Sequence, residues 1–164
     1  MIKEEVMKKL IWTIIATVSI LLAGGYFNRI NCLGDEGPKV AVQNYLAAMK
    51  GERFEDAYRF VTTSMTDDQS LTEWAGQQRR MFAMAKIVIN KLDVREGHRE
   101  LKNMFTCAST ARVSNVLHAS DVLNKQGSSE YEVYTLVRDD GAWKIDSQET
   151  LFDEVSIRQW FPQG

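Results

Sequence analysis

The chain has 164 residues, with 20 Lys and Arg against 22 Asp and Glu and a formal charge of −2. So close a balance excludes a sequence-independent electrostatic grip on nucleic acid. Its 2 histidines and 2 cysteines show neither CxxC nor HxxxH spacing, so no metal ligand and no cofactor is assigned. The first predicted element is an uncharged run, Leu10 to Asn28 (LIWTIIATVSILLAGGYFN). As a helix it reaches roughly 28 Å, close to the hydrocarbon thickness of a bilayer. Thr13, Thr17 and Ser19 are its only Ser or Thr hydroxyls, and such groups can bond back to their own helix. It is therefore read as a retained transmembrane anchor. A cleaved signal is the alternative, because Ala23 and Gly25 before Tyr26 form a small-x-small site. A lipoprotein signal is rejected, since Arg29, Ile30 and Asn31 precede Cys32.

Lys3, Lys8 and Lys9 precede the run, against Arg29 and Lys39 after it. This bias places the N-terminus in the cytoplasm and the bulk of the chain outside, in a bacterial periplasm, held at the inner membrane. Trp12 and the pair Tyr26–Phe27 sit near the two ends, where aromatic rings favour the headgroup layer. Residues 1–28 are thus cytoplasmic tail and anchor, 29–37 a linker, 38–151 a folded domain and 152–164 a tail.

In the domain, Pro38 opens a helix whose Val42, Tyr45, Leu46 and Met49 share a face, with Gly51 placed to stop it. Phe54, Ala57, Tyr58 and Val61 repeat that spacing in a second helix. Ser70 and Glu73 form a capping box for a third, with Leu71, Trp74, Met81, Phe82 and Ala85 as its buried face. From Ile87 the pattern becomes strand-like: Ile87 to Val94, then a polar loop from Arg95 to Lys102, then Phe105 to about Ala119. Tyr131 to Arg138 and Trp143 to Ser147 follow, joined by the turn Asp139-Asp140-Gly141. Three helices and then an antiparallel meander predict an α+β domain, with the helices packed on one face of a curved sheet.

The stretches from Ala41 to Val61 and from Val137 to Asp146 resemble the nuclear-transport-factor-2-like (cystatin-like) superfamily. AVQNYLAAMKGERFEDAYRFV (Ala41 to Val61) is similar to the opening helices of its bacterial secreted or membrane-anchored members. VRDDGAWKID (Val137 to Asp146) is similar to their final hairpin. The resemblance spans residues 38–151 and implies a cone-shaped sheet wrapped around a long helix, often with a pocket. The superfamily includes isomerases, dehydratases, binding modules and assembly adaptors, so it implies fold rather than function.

Enzymes of this kind place a carboxylate base inside the cone. The inward set read from strand parity is Cys107, Ala111, Val113, Asn115, Leu117, Tyr131, Val133, Thr135, Val137, Trp143 and Ile145. It holds no Asp, Glu or His, and Asp93 lies beside a charged loop, so no catalytic residue is assigned. Cys107 and His118 fall on opposite faces of one strand. A Cys32–Cys107 disulfide is chemically allowed outside the cytoplasm, and an unpaired Cys32 could instead link two copies. Val113, Asn115, Tyr131, Thr135 and Trp143 are the pocket-lining candidates for a small hydrophobic ligand. In the tail, Trp160 and Phe161 are the candidates for contact with a protein partner or second copy. The expected function is a non-enzymatic, single-pass membrane-anchored domain for protein–protein interaction or assembly of a membrane complex. A ligand-binding module and an isomerase- or dehydratase-like enzyme are the alternatives.

Overall fold

The computed structural model describes residue 12 and residues 14–26, 37–95, 98–99 and 109–162. The chain divides into two compact units, Met1–Asp35 with Leu101–Ala108, and Glu36–Glu100 with Ser109–Gly164. In the first unit residues 14–26 form a helix, α1, whose Ile14, Ile15, Val18, Ile20, Leu21 and Leu22 are exposed. Residues 14–26 reach about 20 Å at about 1.5 Å per residue. No helix among the described residues is long and apolar enough to cross a membrane. Leu10, Ile11, Thr13, Phe27 and Asn28 of the uncharged run lie outside the described residues, as do the basic N-terminus, Cys32 and Cys107.

The second unit opens with α2, Gly37–Lys50, which buries Val42, Tyr45, Leu46 and Met49 on one face, as the spacing requires. It ends where the Gly51 N–H bonds Ala47 O and the Arg53 N–H bonds Ala48 O. The left-handed residue of this stop is Glu52 (φ 53°), not Gly51. One α-turn, α3 (Phe54–Ala57), and a 3-10 turn (Tyr58–Phe60) follow in place of the single helix expected there. Next comes α4, Leu71–Ala85, opened by Ser70 and Glu73 in the expected reciprocal capping box. It buries Trp74, Ala75 and Phe82, whereas Leu71 and Met81 face solvent.

The sheet comprises β1 (Val88–Val94), β2 (His98–Arg99), β3 (Thr110–Ser120), β4 (Ser128–Asp139) and β5 (Ala142–Leu151). Its order is β1-β3-β4-β5, all antiparallel, with β2 pairing β3 beyond the end of β1 within the expected polar loop. Asp140 (φ 48°) and Gly141 (φ 81°) form the β4–β5 turn, both in the left-handed region that a tight hairpin needs. Bulges at Asn90 and Asp146 bend the two edge strands. At Asp146 the bulge is stitched to the helical side: Thr62 Oγ1 donates to Asp146 Oδ1 at 2.9 Å and Thr62 N to Ile145 O at 2.9 Å.

Two cores form, one on each face of the sheet. On one face α2, α3 and α4 pack Tyr45, Leu46, Phe54, Trp74 and Phe82 against Val113, Tyr134, Leu136 and Ile145. On the other, α5 (Glu154–Trp160) and Phe161 cover Val116, Val133 and Leu151. Helices therefore lie on both faces rather than one, because the tail folds back. Asp153 caps α5 by accepting from Ser156 N at 2.8 Å.

Candidate functional site

Strand register decides which side chains face α2, α3 and α4. Asn115 pairs with Glu132, Val113 with Tyr134 and Ala111 with Leu136, and directly opposed residues share a face. The even-numbered residues of β4 therefore point at α2. The inward set read from the sequence is corrected here: Glu132 belongs in it, while Tyr131, Val133, Thr135 and Val137 belong to the opposite face. The hairpin itself carries the signal that could have shown this. A two-residue turn at Asp140-Gly141 places Trp143 opposite Arg138 and Ile145 opposite Leu136, before the bulge at Asp146 shifts the register. Once Trp143 and Ile145 are taken as inward, the even residues of β4 must be too.

Glu132 is 2% exposed and sits at the centre of a polar cluster. Asn115 Nδ2 donates to its Oε2 at 2.8 Å, and the Tyr134 hydroxyl donates to the same oxygen at 2.8 Å. Gln148 Nε2 donates to Oε1 at 2.7 Å. Asn115 is held in turn, its Oδ1 accepting from Asp93 N at 3.1 Å. Tyr45 from α2 meets the Tyr134 ring edge-on, with centroids 6.2 Å apart and planes at 65°. No buried polar side-chain atom among the described residues lacks a partner.

Burial pushes the Glu132 pKa up, although the hydrogen bonds from Asn115, Tyr134 and Gln148 oppose this. Burial, reinforced by the Glu132 charge, raises Tyr45 to about 12 and lifts Tyr134 well above its ordinary value. The arrangement is a carboxyl group biased toward keeping its proton, ringed by one phenol and two amides. Gln148, unlike Asn115 and Tyr134, is exposed, so the cluster reaches solvent beside β5.

Among solved structures, a ketosteroid isomerase-like protein from Erwinia carotovora atroseptica matches at TM-score 0.50 with 14% identity, covering 71% of this chain and 95% of that one. The second unit has the nuclear-transport-factor-2-like, or cystatin-like, fold. A domain of unknown function with a cystatin-like fold from Nostoc punctiforme matches at TM-score 0.44 with 15% identity, over 75% of this chain and 79% of that one. A Bdellovibrio bacteriovorus protein matches at TM-score 0.48 with 12% identity over 69% of this chain, which spans only 38% of that protein. No protein-family model matches the chain, and no curated protein does.

Within this fold the five pocket candidates divide between the two faces. Val113, Asn115 and Trp143 are buried on the face covered by α2, α3 and α4, Asn115 inside the Glu132 cluster. Tyr131 and Thr135 lie on the other, where the Tyr131 ring meets Phe161 at 4.9 Å. Phe161 is itself 5% exposed, packed on its own sheet with Arg95 over its ring at 4.9 Å. Trp160 is half-buried in the same cluster. The apolar residues that this region does present to solvent are Phe152 (89% exposed) and Val155 (73%), just before and at the start of α5. A surface depression of about 520 Å³ lies elsewhere, lined by Asp67, Asp68, Gln69, Glu73 and Arg80 among others, and none of the pocket candidates reaches it. Among the described residues no three His, Cys, Asp or Glu side chains form a metal-holding group.

Proposed function

We propose that the chain is a non-enzymatic interaction domain, held at a bacterial inner membrane by the uncharged segment Leu10 to Asn28, with its folded part on the periplasmic side. The observation that carries this reading is the enclosure of Glu132. Three donors engage its two oxygens, and the cluster lies against a core of aromatic and aliphatic side chains. A general base needs a substrate proton within hydrogen-bond reach, and this side chain is spent on its own neighbours. The contact surface for a partner protein or second copy then shifts from Trp160 and Phe161 to the exposed pair Phe152 and Val155.

Crosslinking of the intact protein in detergent tests this. Phe152→Ser with Val155→Ser is expected to lower the yield of crosslinked dimer or partner complex about tenfold or more, leaving thermal unfolding unchanged. Glu132→Gln should leave that yield untouched. A strictly monomeric, partner-free protein would overturn the reading.

A second reading has one observation in its favour. Glu132 is a carboxyl group with a raised pKa inside a fold that hosts isomerases, and Gln148, the donor to its Oε1, is exposed. Rotation of Gln148 would free Oε1 for acid–base work. Loss of cellular function in Glu132→Gln, with the fold intact, would select this enzyme.

A further inference from the structure

The corner where α4 meets the sheet carries apolar residues that the interaction reading does not use. The Val122 N–H donates to Ala85 O at 2.9 Å, tying the β3–β4 turn to the last turn of α4. Val88 pairs with Ser120 at the foot of the same turn. These two links gather Met84 (80% exposed), Val88, Val122 and Leu123 (95%) into one solvent-facing apolar corner. Its tip is a built structure. Asp121 Oδ1 accepts from Leu123 N at 2.7 Å and from Asn124 N at 2.8 Å, and Gly127 closes the loop with a φ of 82°. The turn therefore holds Leu123 outward at the cost of leaving its whole side chain in water.

Two cations rim the corner. Lys86 follows Met84 and Ala85 as the left-handed C-cap of α4 (φ 50°), and Lys125 lies two residues past Leu123. Both are exposed, and neither forms an ion pair with a described residue. The one acid in the turn, Asp121, has its carboxylate turned to backbone N–H groups. Apolar tips flanked by unpaired lysines match the two layers of an anionic bilayer surface, acyl chains beneath phosphate headgroups.

We infer that this corner docks on the membrane surface, with Leu123 and Met84 entering the headgroup–acyl boundary and Lys86 and Lys125 meeting anionic lipid phosphates. The inference rests on the membrane-tether reading, because a tether keeps the corner close to a bilayer and lets a weak contact persist.

The test uses the full chain in vesicles of phosphatidylcholine, with and without phosphatidylglycerol. A benzophenone photo-crosslinker is placed at position 123, at position 84 and, as a remote exposed control, at position 59. Lipid adducts are expected at positions 123 and 84 several-fold above position 59, rising with phosphatidylglycerol. Lys86→Gln with Lys125→Gln should abolish the dependence on phosphatidylglycerol. Lipid adducts at position 123 no higher than at position 59 would overturn the inference, as would adducts to a second protein chain in their place. Carbonate extraction of the same vesicles reports the tether separately, so loss of the anchor and loss of the corner contact are distinguished.

Discussion

A carboxyl group stripped of water gains little by ionising, and Glu132 shows the consequence for stability. Its folded-state pKa is raised by burial, so between the ordinary carboxyl value and the folded value the native chain binds more protons than the unfolded one. The stabilising contribution is complete below the ordinary value and is lost as pH rises through the folded one. Denaturant unfolding across that range is expected to show stability falling with rising pH, and Glu132→Gln should flatten this slope while keeping the shape of the cluster. Glu132→Ala should behave differently. It leaves the buried donors of Asn115 and Tyr134 without an acceptor, at about 1–3 kcal/mol for each. A pH slope unchanged in Glu132→Gln would show that the carboxyl is not the titrating group. None of this was visible in the residue itself, since a lone Glu between Tyr131 and Val133 reads as a solvated position on a half-buried strand.

At the scale of elements, local chemistry was a sound guide wherever the signal was local. Ser70 and Glu73 cap α4 as their spacing requires, and Asp140-Gly141 turn the hairpin because both adopt positive φ. The difficulty lay in β4, where both faces are apolar enough to be buried. One face packs on α2 and the other on α5, so alternation alone does not say which is inside. The tail was the other gap, because α5 is only seven residues long and has little helical preference of its own. Its place comes from Phe161, which packs on Tyr131. Phe161→Ala is expected to cost about 3–5 kcal/mol, read as a lowered denaturation midpoint. A change below about 1 kcal/mol would mean that the back face holds together without the tail.

For the whole molecule, the proposed reading rests on the uncharged run for where the domain works and on the fold for what it can do there. If, on the proposed reading, the segment Leu10 to Asn28 both tethers the domain and takes part in the contact, replacing residues 1–28 by a cleavable signal should leave the domain folded by near-ultraviolet circular dichroism. The crosslinked dimer or partner complex should then disappear. Undiminished crosslinking would show that the segment takes no part in the contact. The sequence by itself determined the α+β order, the helix cap, the tight hairpin and the apolar N-terminal run, because each depends on residues close along the chain. Only the tertiary structure decided that Glu132 is enclosed, that Phe161 is buried and that Met84, Val88 and Leu123 share a corner. Those outcomes depend on packing and hydrogen bonds between segments distant in the chain, which the hairpin's local register constrains but does not by itself supply.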